Sequence, residues 1–160
     1  MKPVIITLLF IAVINVAHAQ QYAYHPKYAV ILNTDKGKQC MHQCSRPVPE
    51  NIDDFYQITS ADSMLLVQNL KKILSIKAPY GGKLGNLDDY CFQLMGVMSG
   101  KRKFIYINAF EAYEISLIRS VARQWKTDPI IVCGGGSGAW GALFYPAQQT
   151  FSQLSFNGRM

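Results

Sequence analysis

The run FIYINAF at residues 104–110 constrains this chain more than any other feature, because it is apolar on both of its faces. Side chains alternate along a strand. Phe104, Tyr106, Asn108 and Phe110 therefore share one face, and Ile105, Ile107 and Ala109 share the other. A strand that is largely apolar on both sides belongs in the centre of a sheet. The run at residues 90–98 is equally rich in β-forming residues, and Ser99-Gly100-Lys101-Arg102 separates the two as a turn, so together they read as a hairpin. Further strands are expected at 28–32, 139–145 and 151–156, with another short one at 129–133. Residues 33–38 read as a turn. Residues 45–54, with Pro47 and Pro49, read as a connector, since proline is excluded from central strands and helix interiors.

One segment has helical spacing throughout. Thr59 or Ser60 can cap it, and Asp62 falls in its first turn. Leu66, Leu70, Ile73 and Leu74 recur at the helical period, Lys71, Lys72 and Lys77 lie towards its end, and Pro79 with Gly81-Gly82 terminates it. A second, shorter helix is expected over 111–125, where Ile115, Ile118, Ala122 and Trp125 fall on one face. There is no βαβ rhythm and no internal repeat. The expected architecture is a single α+β domain over residues 20–160: an antiparallel sheet of four or more strands packed against one main helix, with the short helix inserted.

Residues 1–19 have the three parts of a secretory signal: Lys2, an apolar stretch over 4–16 broken only by Thr7 and Asn15, and Ala17-His18-Ala19 before the cut. The apolar run is shorter than the ~20 residues that span a bilayer. Cleavage after Ala19 would leave Gln20 first, giving a periplasmic or secreted domain with no membrane segment. The net charge of +6 is scattered over separate segments, including Lys101-Arg102-Lys103 in the hairpin turn. A nucleic-acid surface would gather such charges beside exposed aromatics, so no nucleic-acid partner is expected.

All four cysteines, Cys40, Cys44, Cys91 and Cys133, follow the signal. An even number in an oxidising compartment points to two disulfides. If residues 40–44 are extended, at ~3.3 Å per residue, Cys40 and Cys44 lie about 13 Å apart, beyond the ~7 Å limit for a bridge. Each is then expected to pair with Cys91 or Cys133, unless a tight turn at 41–43 restores the local bond. Cys40, His42 and Cys44 would share one face of an extended strand and could converge on zinc or copper. Oxidation to disulfides removes the thiolates that a metal needs, so no metal and no cofactor is expected.

The segment Cys133-Gly-Gly-Gly-Ser-Gly-Ala-Trp-Gly141 is the most unusual in the chain. It lacks the lysine of a phosphate-binding loop. The helix a dinucleotide fingerprint requires is replaced by an expected strand. Gly135-Gly136-Ser137-Gly138-Ala139 nearly matches a nucleophile elbow, but no histidine follows it to complete a triad. A structural bulge, or a loop presenting Trp140 to a partner, remains. A cysteine nucleophile beside His25 or His42, and Glu111 with Glu114 as paired carboxylates at a helix start, are weaker candidates for catalysis.

Taken together, Tyr90-x-Phe-Gln-Leu-Met-Gly-Val, Gly100-Lys-Arg-Lys-Phe-Ile-Tyr-Ile-Asn-Ala-Phe110, Trp125-Lys, the glycine run with Trp140, Phe151-x-x-Leu-x-Phe-Asn-Gly158 and, earlier, Cys44-Ser-Arg-x-x-Pro-x-Asn-Ile52 resemble a family of small exported bacterial proteins. The resemblance carries no activity and assigns no functional residue. This chain departs from the pattern at Cys133-Gly134, where members of the family often have Asp before the glycines.

The expected function is that of a non-catalytic binding protein, inhibitor- or immunity-like, acting on another exported protein. Trp140, Ser137 and Gly136 are its expected contact surface. The alternatives are a hydrolase whose site assembles from His42, Glu111 or Ser137, and a structural envelope component.

Overall fold

The computed structural model describes residues 26–77, 82–113, 122 and 124–158. The signal peptide over 1–19 and the residues up to His25 lie outside that set. One six-stranded sheet organises the fold. Its strands are β1 (Tyr28–Ile31), β2 (Asp54–Tyr56), β3 (Tyr90–Ser99), β4 (Arg102–Glu111), β5 (Ala139–Tyr145) and β6 (Thr150–Phe156). The order across the sheet is β1-β3-β4-β5-β6, and β2 also pairs with β3. β3 to β6 are antiparallel neighbours, whereas β1 runs parallel to β3. The architecture is therefore α+β with a mostly antiparallel sheet, and the FIYINAF strand β4 lies between β3 and β5 as its pattern requires.

Helix α1 (Thr34–Cys40) and helix α2 (Ser60–Asn69) flank the sheet. α2 begins with a complete capping box. The Thr59 side chain accepts from the Asp62 N–H at 3.1 Å, and the Asp62 carboxylate accepts from the Thr59 N–H at 3.4 Å. The helix tightens into a 3₁₀ turn over Leu70–Ser75. Leu66, Leu70 and Ile73 seal one sheet face, packing with Phe92, Leu94, Ile105, Ile107, Trp140 and Phe144. These are alternate residues of β3, β4 and β5, as strand geometry requires.

The turn expected at 33–38 is instead the two-turn helix α1. Asn33 caps it, its side chain accepting from the Lys36 N–H at 2.9 Å. Sequence pattern misses this helix because seven residues with a central glycine have little intrinsic stability. Packing supplies what propensity lacks. A Cβ on Gly37 would stand 3.2 Å from the Phe55 ring and 3.4 Å from Met95, so glycine lets α1 lie close against β2 and β3. The end of the 45–54 connector is likewise the start of β2, at Asp54.

The opposite sheet face is covered differently, and the strand expected at 129–133 is replaced by an irregular segment lying across it. The backbone of that segment bonds to side chains of the sheet, not to another strand. The Gln93 amide donates to the carbonyls of Trp125 (2.6 Å) and Asp128 (2.7 Å), and its oxygen accepts from the Ile130 N–H (2.9 Å). The Asn108 amide donates to the Ile130 carbonyl and to Gln93 Oε1, both at 2.9 Å, and the Asn157 amide donates to the Val132 carbonyl. Apolar β-branched residues here contact the sheet through their backbone polar groups, so their strand propensity is overridden. The helix expected over 111–125 lies mainly outside the described residues. Tyr113, Ala122 and Gln124 are helical, and Trp125 belongs to the turn that follows.

Arg46 completes this face. Its guanidinium is buried and donates to Asn157 Oδ1 (2.6 Å), to the Tyr106 hydroxyl (3.3 Å) and to Asn108 Oδ1. Gly141 makes room for it: a Cβ there would stand 2.6 Å from the Tyr106 hydroxyl and 3.0 Å from Arg46 Nε. A buried donor or acceptor left unpaired costs about 1–3 kcal/mol. Asn108→Ala strips partners from Gln93, Arg46 and Ile130 together, and is expected to lower the unfolding free energy by about 2–4 kcal/mol. Urea denaturation checks this, and Gly141→Ala should be destabilising in the same assay through overpacking of the same network.

Candidate functional site

Gly134, Gly135 and Gly136 have φ of 90°, 83° and 55°, a succession that side-chain-bearing residues cannot follow without strain. The sharp path lets the loop tie distant parts of the chain together. Gly134 N–H donates to Ser45 Oγ (3.0 Å) and Gly136 N–H to the Gly158 carbonyl (3.2 Å), while Gly158 N–H reaches the Ser45 carbonyl (2.8 Å). The segment is a structural junction.

Trp140 is not a contact residue. It is 0% exposed, with edge-to-face contacts to Tyr90 and Phe92 at centroid distances of 5.7 and 5.9 Å. The reason is register. On β5 it shares the side of Ala142 and Phe144, which faces α2, and β5 is itself flanked by β4 and β6. Gly136 is buried as well, and of the three expected contact residues Ser137 alone is exposed. The Ser137 carbonyl accepts from the Tyr90 hydroxyl at 3.1 Å, and the Glu111 carboxylate sits against the neighbouring Gly138 at the same end of the sheet. His42 is exposed on the turn after α1. His25 and Glu114 lie outside the described residues.

The cysteines divide. Cys44 and Cys133 form a disulfide, with Cα atoms 5.4 Å apart and a sequence separation of 89. Cys40 and Cys91 are free, buried thiols, so two disulfides are corrected to one. Residues 40–44 are not extended: Cys40 is the last residue of α1 and turns into the core beside Met95, Val97 and Tyr106, whereas Cys91 packs with Phe110, Trp125 and Ala139 in a separate cluster. The shared face proposed for Cys40, His42 and Cys44 does not form. Among the described residues no group of three or more His, Cys, Asp or Glu side chains could hold a metal ion.

Burial pushes the Cys40 thiol up to about 12 and the Cys91 thiol up to about 11, from an ordinary 9.0. Both are inert as nucleophiles near neutrality. Because folding favours the protonated form, their contribution to stability is complete below pH 9 and is lost as the pH rises towards these values. Native protein is therefore expected to show two thiols unreactive to a thiol-specific disulfide reagent at pH 8, both becoming reactive in denaturant. Midpoint urea concentration should fall between pH 9 and 11, and Cys40→Ala should reduce that fall. Reduction of Cys44–Cys133 releases a long loop and is expected to cost about 2–4 kcal/mol, read by denaturation with and without reductant.

A surface that sequence did not mark lies on the other side of the sheet. Between β1 and α2 runs a groove of about 280 Å³. β1 contributes Ala29 and Ile31, α2 contributes Leu66 and Val67, the 3₁₀ turn contributes Leu70, and Phe92 with Leu94 forms the floor. Ile31 is 40% exposed and Met64 on α2 is 60% exposed. The groove arises because β1 is only four residues long and α2 packs over β3 to β5, leaving a gap above the sheet edge. Sequence pattern could have flagged the opening: Tyr28-Ala-Val-Ile is apolar at every position, more than a strand covered on one face requires. No protein-family model, no curated protein and no solved structure matches the chain.

Proposed function

We propose that this is a non-catalytic binding protein that works outside the cytoplasm, of the inhibitor- or immunity-like kind, and that it engages another exported protein through the groove between β1 and α2. The observation that carries the proposal is the groove itself: apolar walls and floor, open to solvent, with the large side chain of Ile31 at its rim. Soluble proteins seldom leave such a surface without a use. Export is supported by the leader pattern at residues 1–19 and by the Cys44–Cys133 disulfide, which persists in oxidising compartments. The resemblance to small exported bacterial proteins agrees with this reading.

The test begins with mature protein, residues 20–160, immobilised against envelope extract. A recovered partner is then titrated calorimetrically against wild type and Ile31→Asp, which sets a charge at the apolar rim. Affinity is expected to fall at least tenfold while the thermal midpoint of the free protein changes little. A partner bound equally well by both, or hydrolysis of envelope components by the pure protein, would refute the proposal.

A further inference from the structure

The groove lies beside a sheet edge whose hydrogen-bonding pattern specifies what could occupy it. Leu32 N–H donates to the Leu94 carbonyl at 2.9 Å, and Ile31 is in register with Leu94 in a parallel pair. In such a ladder alternate residues turn both backbone groups to the same neighbour. Tyr28, Val30 and Leu32 therefore face β3, and Ala29 and Ile31 direct N–H and C=O away from it. No strand pairs with that outer edge among the described residues. Ala29, Val30 and Ile31 all line the groove, and because the Val30 side chain packs into the opposite core, strand alternation leaves those of Ala29 and Ile31 on the groove side.

An acyl chain would fill the groove and leave four backbone polar groups unmatched. An extended peptide satisfies both features at once. Its backbone continues the ladder on Ala29 and Ile31, and every second side chain turns to the groove side of the sheet beside those two residues, which is the geometry of strand addition. We infer that the groove takes an extended segment of a different protein, added as an edge strand alongside β1, with apolar residues at alternate positions and acidic residues flanking them. The acidic preference follows from Lys27 just before β1, Lys71 and Lys72 directly after Leu70, and a net charge that is positive with or without Lys2 (+6 for the whole chain), which also disfavours pairing of two copies of this chain. This inference rests on the binding function proposed above and names the form its partner takes.

The probe is a phage-displayed random dodecapeptide library panned on mature protein, with the Ile31→Asp variant as counter-selection. Enriched peptides are expected to alternate apolar with polar residues, to carry flanking Asp or Glu, and to slow hydrogen exchange at the Ala29 and Ile31 amides at least tenfold. Ala29→Pro removes an outward donor without touching a bond to β3, and should weaken binding at least tenfold. Methylation of alternate peptide amides should do the same even if that variant folds poorly. Peptides that bind without slowing those two amides, a lack of enrichment over Ile31→Asp, or slowed exchange that depends on protein concentration alone, as in a dimer of this chain, would each overturn strand addition. The first of these leaves the groove as a binding site and so separates this inference from the binding proposal.

Discussion

A buried guanidinium and three buried amides hold one whole side of this protein in place. Gln93, Asn108 and Asn157 lie under a segment that forms no strand and no described helix, and their side chains take the hydrogen bonds that a neighbouring strand would otherwise supply, while Arg46 joins Asn108 to Asn157. Buried polar groups need hydrogen-bond partners, and every side-chain nitrogen and oxygen of these four residues has one except Arg46 Nε. That requirement fixes where residues 125–134 must run, which side of Gly141 the Arg46 side chain passes, and how the C-terminal residues 157–158 return to the loop after α1. The Cys44–Cys133 disulfide closes the same junction covalently, next to the Ser45 contacts with Val132, Gly134 and Gly158.

The two sheet faces are thus finished by different physics. One is closed by hydrogen bonds to an irregular segment, with α1 and the ion pair between Lys36 and Asp128 alongside. The other is closed by apolar burial beneath α2, with Trp140 at its centre. Hydrogen bonds are directional and leave little slack, whereas a helix laid over a sheet covers only the width its side chains reach. The open groove lies on the helix side, at the short parallel strand β1, where coverage runs out.

Much of this was readable in order along the chain. The hairpin of β3 and β4, the strands β5 and β6, and the cap and apolar stripe of α2 all follow from alternation, helical spacing and turn residues. Each of those signals is local. The readings that changed share a cause. α1 depends on Gly37 fitting against Phe55 and Met95, residues 129–133 on amides from three distant strands or loops, and Trp140 on which side of β5 meets α2. Cys44 pairs with Cys133, one of the expected combinations, but the second bridge does not form, because Cys40 and Cys91 are buried in separate clusters. Gln93 and Asn108 were the visible hints, two amides set in otherwise apolar strands and explicable only as partners of something lying across the sheet.

By itself the sequence determined the class of fold, the central place of β4 and the start of the main helix, because periodicity and capping act within a few residues and report burial without reference to the rest of the chain. Tertiary structure alone decided which thiols met, that Trp140 is core and not contact surface, and that an apolar groove stands open beside β1. Those outcomes depend on distances between segments far apart in sequence. Pattern along a chain records which side of an element is apolar, but the element that covers it, and the width left uncovered, exist only once the segments have packed.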